Sequence, residues 1–86
     1  MTAWHNDSVL KAEAVATMER HREQDDFIRG NYYIVSNDSV DGFRGCFHGC
    51  LVIEKVATEK GFSNIEAAHT LPGRWWEETE RLWGIP

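Results

Sequence analysis

Apolar positions recur at helical spacing in three stretches of this chain and at strand-like density in one. Leu10, Ala14, Met18 and His21 follow at intervals of four, four and three, with Val15 and Arg22 alongside, while Glu13, Glu19, Arg20 and Glu23 fall mainly on other faces. That spacing predicts an amphipathic helix. Asn6, Asp7 and Ser8 offer candidate N-caps, and Gly30 a stop after Phe27 or Ile28. Asn31-Tyr32-Tyr33-Ile34-Val35-Ser36 is dense in aromatic and β-branched residues and predicts a strand. The polar segment 37–42, closing on Asp41-Gly42, predicts a turn, with Phe43 and Arg44 returning as the second strand of a small hairpin. A lone hairpin is marginal in water, so it must pack on helices or pair with another chain.

Beyond the hairpin, Cys46, Cys50, Ile53 and Ala57 are spaced by four, three and four, flanked by Phe47, Leu51 and Val56. Glu54, Lys55, Glu59 and Lys60 supply a wet side and Gly61 a stop, which predicts a second helix. The rival is a strand over 47–53, where β-branched residues are present but alternation is poor. Ser63 and Asn64 cap a short turn over 65–70, and Leu71-Pro72-Gly73 breaks the chain. Residues 74–83 predict the last helix: Trp75, Trp76, Thr79, Leu82 and Trp83 form its apolar stripe, Glu77, Glu78, Glu80 and Arg81 face water, and Gly84 ends it. The sum is one domain over residues 1–86: a mainly helical α+β fold of three helices with one short strand or β-hairpin.

Composition narrows the function classes. A chain of 86 residues has room for one core and buries only about two-thirds of its unfolded surface, so its stability is modest. Apolar content of 42%, with four tryptophans, is enough for a real core. The net charge of −5, with basic residues scattered among acids, argues against a nucleic-acid or anionic-membrane surface. The longest apolar run, Cys50-Leu51-Val52-Ile53, is far too short to cross a bilayer. The opening residues lack the basic leader and apolar run of a secretory signal, so the two cysteines are read as reduced thiols of a cytoplasmic protein.

Candidate chemistry centres on Gly45-Cys46-Phe47-His48-Gly49-Cys50. Glycine is disfavoured inside a helix by about 1 kcal/mol, so Gly45 and Gly49, one turn apart, ask for a packing reason. The plain reading is tight packing of Gly45, Cys46, Gly49 and Cys50 against the first helix or the C-terminal tryptophans. The cysteines are four apart, which matches neither a redox pair nor a zinc ribbon. A metal site would have to recruit His5, His21, His48 or His69 without any recognised ligand spacing, and none is assigned. The sharper alternative makes Cys46 a nucleophile, activated at a helix N-terminus, with His48 or His69 as base and Asp25, Asp26 or Glu66 as orienter. That reading is a thiol-dependent enzyme or small-ligand binder centred on Cys46. Otherwise Asp25-Asp26 reads as a wet turn, His5 as solvated, and His21 as a core-edge residue donating to a carbonyl or carboxylate.

Trp75, Trp76 and Trp83 are more apolar surface than so small a chain easily covers, and tryptophan is enriched at interface hot spots. With Tyr32 and Tyr33 on the strand, they point to a non-enzymatic interaction module that forms a homodimer or takes a protein partner, using this aromatic surface or the strand edge. No cofactor is implied. A weaker alternative is an acidic protein that occupies a basic surface through Glu77, Glu78 and Glu80.

His21-Arg22-x-x-Asp25, Gly30-x-Tyr32, Gly45-Cys46-x-x-Gly49-Cys50 and Gly84-Ile85-Pro86 together resemble a family of uncharacterised bacterial and phage-borne small proteins. In that family a helix with His-Arg-x-x-Asp leads to Gly-x-Tyr, a Gly-Cys-x-x-Gly-Cys segment and a Gly-Ile-Pro turn. This sequence differs in a longer stretch between Cys50 and Trp75, and it stops where the relatives continue into further helices. The resemblance implies an order of elements, an association with mobile elements and Pro86 at a helix start, but no mechanism.

Overall fold

The computed structural model describes residues 8–24 and 26–84, arranged as α1 (Ser8–Glu23), β1 (Ile34–Val35), β2 (Phe43–Arg44), α2 (Phe47–Lys60), α3 (Asn64–His69) and α4 (Trp75–Trp83). The fold is mainly helical α+β. The described residues form four helices because most of the segment 65–70, expected as a short turn, belongs to α3 (Asn64–His69), with Thr70 as its C-cap. Ser63 caps that helix with its side chain on the Glu66 N–H, and Glu66 returns a bond to the Ser63 backbone.

The centre is α2, with α1, α3 and α4 packed around it. Its Gly49, Cys50, Leu51, Val52, Ile53, Val56 and Ala57 are all buried. Burial on several sides explains the continuous apolar run that raised the strand alternative. Cys46 is the N-cap of α2, and Gly61, at φ 69°, is its left-handed C-cap. Phe43, Leu71 and Trp83 complete the core from β2, the α3–α4 loop and α4.

Packing departs from the apolar pattern in α1. The buried positions are Ala14, Thr17 and His21, whereas Met18 is exposed. The contact stripe keeps Ala14 and His21 from the one that hydrophobicity marks but takes Thr17 in place of Met18. The helix also stops at Glu23 rather than near Phe27 or Ile28. Asp26 N–H bonds the His21 carbonyl, and Phe27 then runs parallel to Gly45, with Ile28 N–H on the Gly45 carbonyl and Gly45 N–H on that of Asp26. Segment 26–28 therefore serves as an extended flank to β2.

The strand expected over 31–36 contributes only Ile34 and Val35 to an antiparallel ladder, paired with Arg44 and Phe43. Tyr32 instead crosses the start of α2. A Cβ on Gly45 or Gly49 would collide with the Tyr32 carbonyl oxygen, and one on Gly49 would lie 2.7 Å from Tyr32 C and 2.9 Å from its Cα. Gly45 precedes α2 and Gly49 lies in its first turn, so the two do not form one helical face. The glycines admit the Tyr32 backbone, not the first helix or the tryptophan rings. Cys46 N–H then bonds the Asn31 carbonyl at 2.9 Å.

In α4 neighbouring side chains point about 100° apart, so Trp75 and Trp76 cannot both face the core. Trp83 is 1% exposed, its Nε1–H donating to the Leu51 carbonyl, while Trp76 is 61% exposed. Glu78, expected to face water, is buried, with its carboxylate held by Arg74 and Arg81. None of the described helices is long and apolar enough to cross a membrane.

Helix propensity alone makes Gly49→Ala stabilising by about 1 kcal/mol. Collision with the Tyr32 backbone reverses the sign, to a loss of about 2–4 kcal/mol in urea unfolding. Gly61→Ala, at a left-handed but open position, loses about 1 kcal/mol. A Gly49→Ala variant as stable as the parent would contradict the close approach.

Candidate functional site

His21 lies on the last turn of α1, is 0% exposed, and is surrounded by carboxylates from three other parts of the chain. Its Nδ1 is 2.9 Å from Asp26 Oδ2 and 3.5 Å from Asp41 Oδ2. On the other side of the ring, Nε2 has no hydrogen-bond partner and lies 3.6 Å from Glu54 Oε2. That separation is electrostatic contact rather than a hydrogen bond. The outer oxygen of each aspartate is held: Ser39 Oγ donates to Asp26 Oδ1 and Asn64 Nδ2 to Asp41 Oδ1 at 3.1 Å. The Gln24 side-chain nitrogen, turned toward the pair, donates to both Oδ2 atoms. Arg20 binds Glu54 through Nε and Nη2, and the rings of Phe27 and Phe43 lie beside the imidazole.

Local structure explains this convergence. The early end of α1 folds Asp26 back beside His21, and the hairpin loop carries Ser39 and Asp41 onto the same spot. Asp26, expected in a wet turn, is wholly buried. His21 on an apolar helix face and the Asp41-Gly42 turn were each visible in the sequence, but nothing in their spacing joined them.

Burial pulls the His21 pKa down, yet the Glu54 and Asp26 carboxylates outweigh it and leave the pKa above its ordinary value. Burial and the neighbouring Asp26 push Asp41 up to about 6. Asp26 moves down: burial opposes this, but bonds to Asp41, Ser39 and His21 win. The two aspartates titrate as a pair. Glu54 drops to about 2, because His21 and Arg20 overcome the cost of burial. Among the described residues, His21, Asp26 and Asp41 bring three potential metal-ligand atoms within 4.8 Å of one another.

The thiol constellation is not assembled in this way. Cys46 Sγ accepts the Gly49 N–H at 3.4 Å, as befits an N-cap. His48 Nε2 is 2.6 Å from Thr79 Oγ1, and His69 Nδ1 is 3.5 Å from the Tyr33 hydroxyl. No hydrogen bond among the described residues joins either imidazole to Cys46. Burial lowers the His48 pKa. Of the candidate orienters, Asp26 serves His21 and Glu66 serves the cap of α3, while Asp25, like His5, lies outside the described residues. Cys50 is buried, and burial pushes its thiol up to about 12.

The aromatic residues divide. Tyr32 stacks on Trp75 with centroids 4.5 Å apart and planes 18° from parallel, and Tyr33 touches Trp75 and His69. His48 bridges Tyr32 to Trp76 with its ring edge-on to both. Tyr32, Tyr33, Trp75 and Trp76 thus form one ridge with Trp76 outermost, and Trp83 is excluded from it by its place in the core. A separate groove of about 530 Å³ lies between α1, α2 and α4. Its charges are spent on one another: Glu13 with Lys55, Arg20 with Glu54, and Glu59 with Arg81.

No family model, curated protein or solved structure matches this chain.

These shifts give stability two opposing limbs in pH. The lowered Glu54 contributes fully above pH 4.5 and is lost as pH falls toward 2, which costs about 1–2 kcal/mol after solvent screening. The raised Asp41 acts in reverse: stability declines as pH rises from 3.8 through about 6. The raised His21 prolongs that decline, since its contribution is complete below pH 6.5 and fades as pH passes its folded value. The urea midpoint should therefore peak at about pH 4, where the Glu54 gain gives way to the Asp41 loss, and Asp41→Asn should flatten the fall between pH 4 and 6. A midpoint that rises steadily from pH 4 to 8 would refute this balance. Cys50 should resist iodoacetamide at pH 7.5 until urea unfolds the chain, as followed by mass spectrometry of the labelled peptide.

Proposed function

We propose that this protein is a non-enzymatic interaction module that pairs with a second copy of itself through the ridge of Tyr32, Tyr33, Trp75 and Trp76. The observation that carries this reading is Trp76, 61% exposed at the end of a row of rings already in contact. Rings held by their neighbours give up little conformational freedom on docking, which suits an interface anchor. The ridge continues along the chain into β1, where Ile34 and Val35 are exposed. Among the described residues, β1 pairs only with β2, so its other edge has backbone groups for a partner strand.

Magnitudes set the expected affinity. Covering Trp76 on both copies removes roughly 200–300 Å² of apolar surface, a gross gain of about 5–7 kcal/mol. Association itself costs about 4–15 kcal/mol, so Trp76 alone does not sustain a dimer, and the remaining rings and the strand edge must contribute. A micromolar dimer is the outcome. Both cysteines are free, in keeping with a reducing cytoplasm, and the net charge of −5 favours a protein partner over a nucleic acid. Among the described residues, the thiol-dependent alternative has no base in hydrogen-bond contact with Cys46.

Sedimentation equilibrium from 1 to about 300 μM should show a monomer–dimer equilibrium above the 9.9 kDa monomer mass. Trp76→Ser should weaken it at least tenfold without moving the urea midpoint of the dilute protein. A monomer across the whole range, or a dimer indifferent to Trp76→Ser, refutes the assignment.

A further inference from the structure

We propose that His21, Asp26 and Asp41 form a binding site for a first-row divalent cation, Zn2+ or Mn2+, that ties the hairpin loop to the end of α1. This is independent of the self-association reading.

The inward atoms of the cluster are His21 Nδ1 and the two Oδ2 atoms. Nδ1 lies 2.9 and 3.5 Å from the two oxygens. Around a cation with bonds of about 2.1 Å, adjacent ligand atoms stand about 3.0 Å apart in octahedral geometry and about 3.4 Å apart in tetrahedral geometry, so the two spacings from Nδ1 match those of a coordination shell, and all three atoms lie within 4.8 Å of one another. Each ligand is also gripped from behind. Ser39 holds the outer oxygen of Asp26, Asn64 that of Asp41, and both Oδ2 atoms are left to converge. Ligands oriented by an outer layer of hydrogen bonds are what a preformed metal site requires.

The second ring nitrogen supplies a separate indication. His21 is wholly buried, yet its Nε2 has no hydrogen-bond partner and is aimed at Glu54 Oε2, 3.6 Å away. If Nδ1 is a lone-pair ligand, the proton resides on Nε2, and its nearest acceptor is a carboxylate held in place by Arg20. That is the carboxylate–imidazole–metal order, with Glu54 in electrostatic contact and favouring the proton on Nε2. The buried Asp26 carboxylate and the partly exposed Asp41 carboxylate meet at the imidazole and the Gln24 amide.

Gln24 completes the site. Its amide end is 3.2 Å from Asp26 Oδ2 and 2.5 Å from Asp41 Oδ2. The amide nitrogen donates there in the metal-free cluster, and a half-turn presents the carbonyl oxygen as a fourth ligand. Gln24 is only half-buried and the Asp41 side chain is 17% exposed, so a route in from solvent exists on that side. One imidazole with two carboxylates and an amide oxygen suits Zn2+ or Mn2+, whereas Ca2+ needs six or more oxygens.

The test titrates the full chain, freed of metal by chelation, with Zn2+, Mn2+ and Ca2+ separately. Calorimetry reports affinity, and ring-nitrogen NMR reports which histidine responds. Expected are one equivalent of Zn2+ or Mn2+ at micromolar affinity, a shift of His21 Nδ1 on Zn2+ binding, and at least tenfold weaker binding in Asp41→Asn. The exposed hairpin variant Asp38→Asn should bind like the parent. Absence of binding by the folded chain overturns the proposal, as does binding that Asp41→Asn leaves unchanged or that shifts His48 or His69 in place of His21. Should Asp41→Asn fail to fold, the ring-nitrogen shift in the parent protein decides.

Discussion

The Tyr32 carbonyl lies against Gly45 and Gly49 at a separation that leaves no room for a side chain on either residue. Because Tyr32 passes there, its ring meets Trp75 and the hairpin is joined to α4 across the start of α2. The same crossing lets the Asn31 carbonyl take the Cys46 N–H, while the Cys46 side chain caps α2. Two glycines, costly in terms of propensity, therefore organise a helix start, a hairpin and an aromatic ridge. The contact works through backbone, so it tolerates almost no adjustment.

A two-rung sheet is marginal by itself. What secures this hairpin is polar: Ser39 and Asp41 reach the carboxylate–imidazole cluster at the end of α1, and Asn64 from α3 reaches Asp41. Burying His21 and Asp26 has a desolvation cost, and the attraction between them offsets it only because the remaining lone pairs have donors. In this seating of the loop, Ser39, Asp41 and Asn64 each have a partner in the cluster. The aromatic wall of Phe27 and Phe43 keeps water from the imidazole and strengthens each of these bonds.

A second use of charge appears on α4. Glu78 is buried between Arg74 and Arg81, and Arg81 also holds Glu59 on α2. These pairs knit α4 to α2 while Trp83 fills the core beneath. The amphipathic pattern of α4 thus covers two roles: Trp83 inward as a structural anchor, and Trp76 outward as a surface feature.

The helical period of residues 47–60 and 75–83, the glycine stops at Gly61 and Gly84, and the Asp41-Gly42 turn were all legible in the sequence, because each rests on contacts within a few residues. The mainly helical α+β class follows from them. The need for close packing at Gly45 and Gly49 was legible too, but not the partner, since Tyr32 approaches from a different element. Only the tertiary structure decided that α1 stops at Glu23, that Thr17 and not Met18 faces the core, that Glu78 is buried, and that Trp83 and Trp76 part company. In each case hydrophobicity marks a side chain, while burial depends on which sector of the helix a neighbour covers. The meeting of His21, Asp26, Asp41 and Glu54 is the extreme example: no local period relates these positions, and only the folded loop and helix ends bring their atoms together.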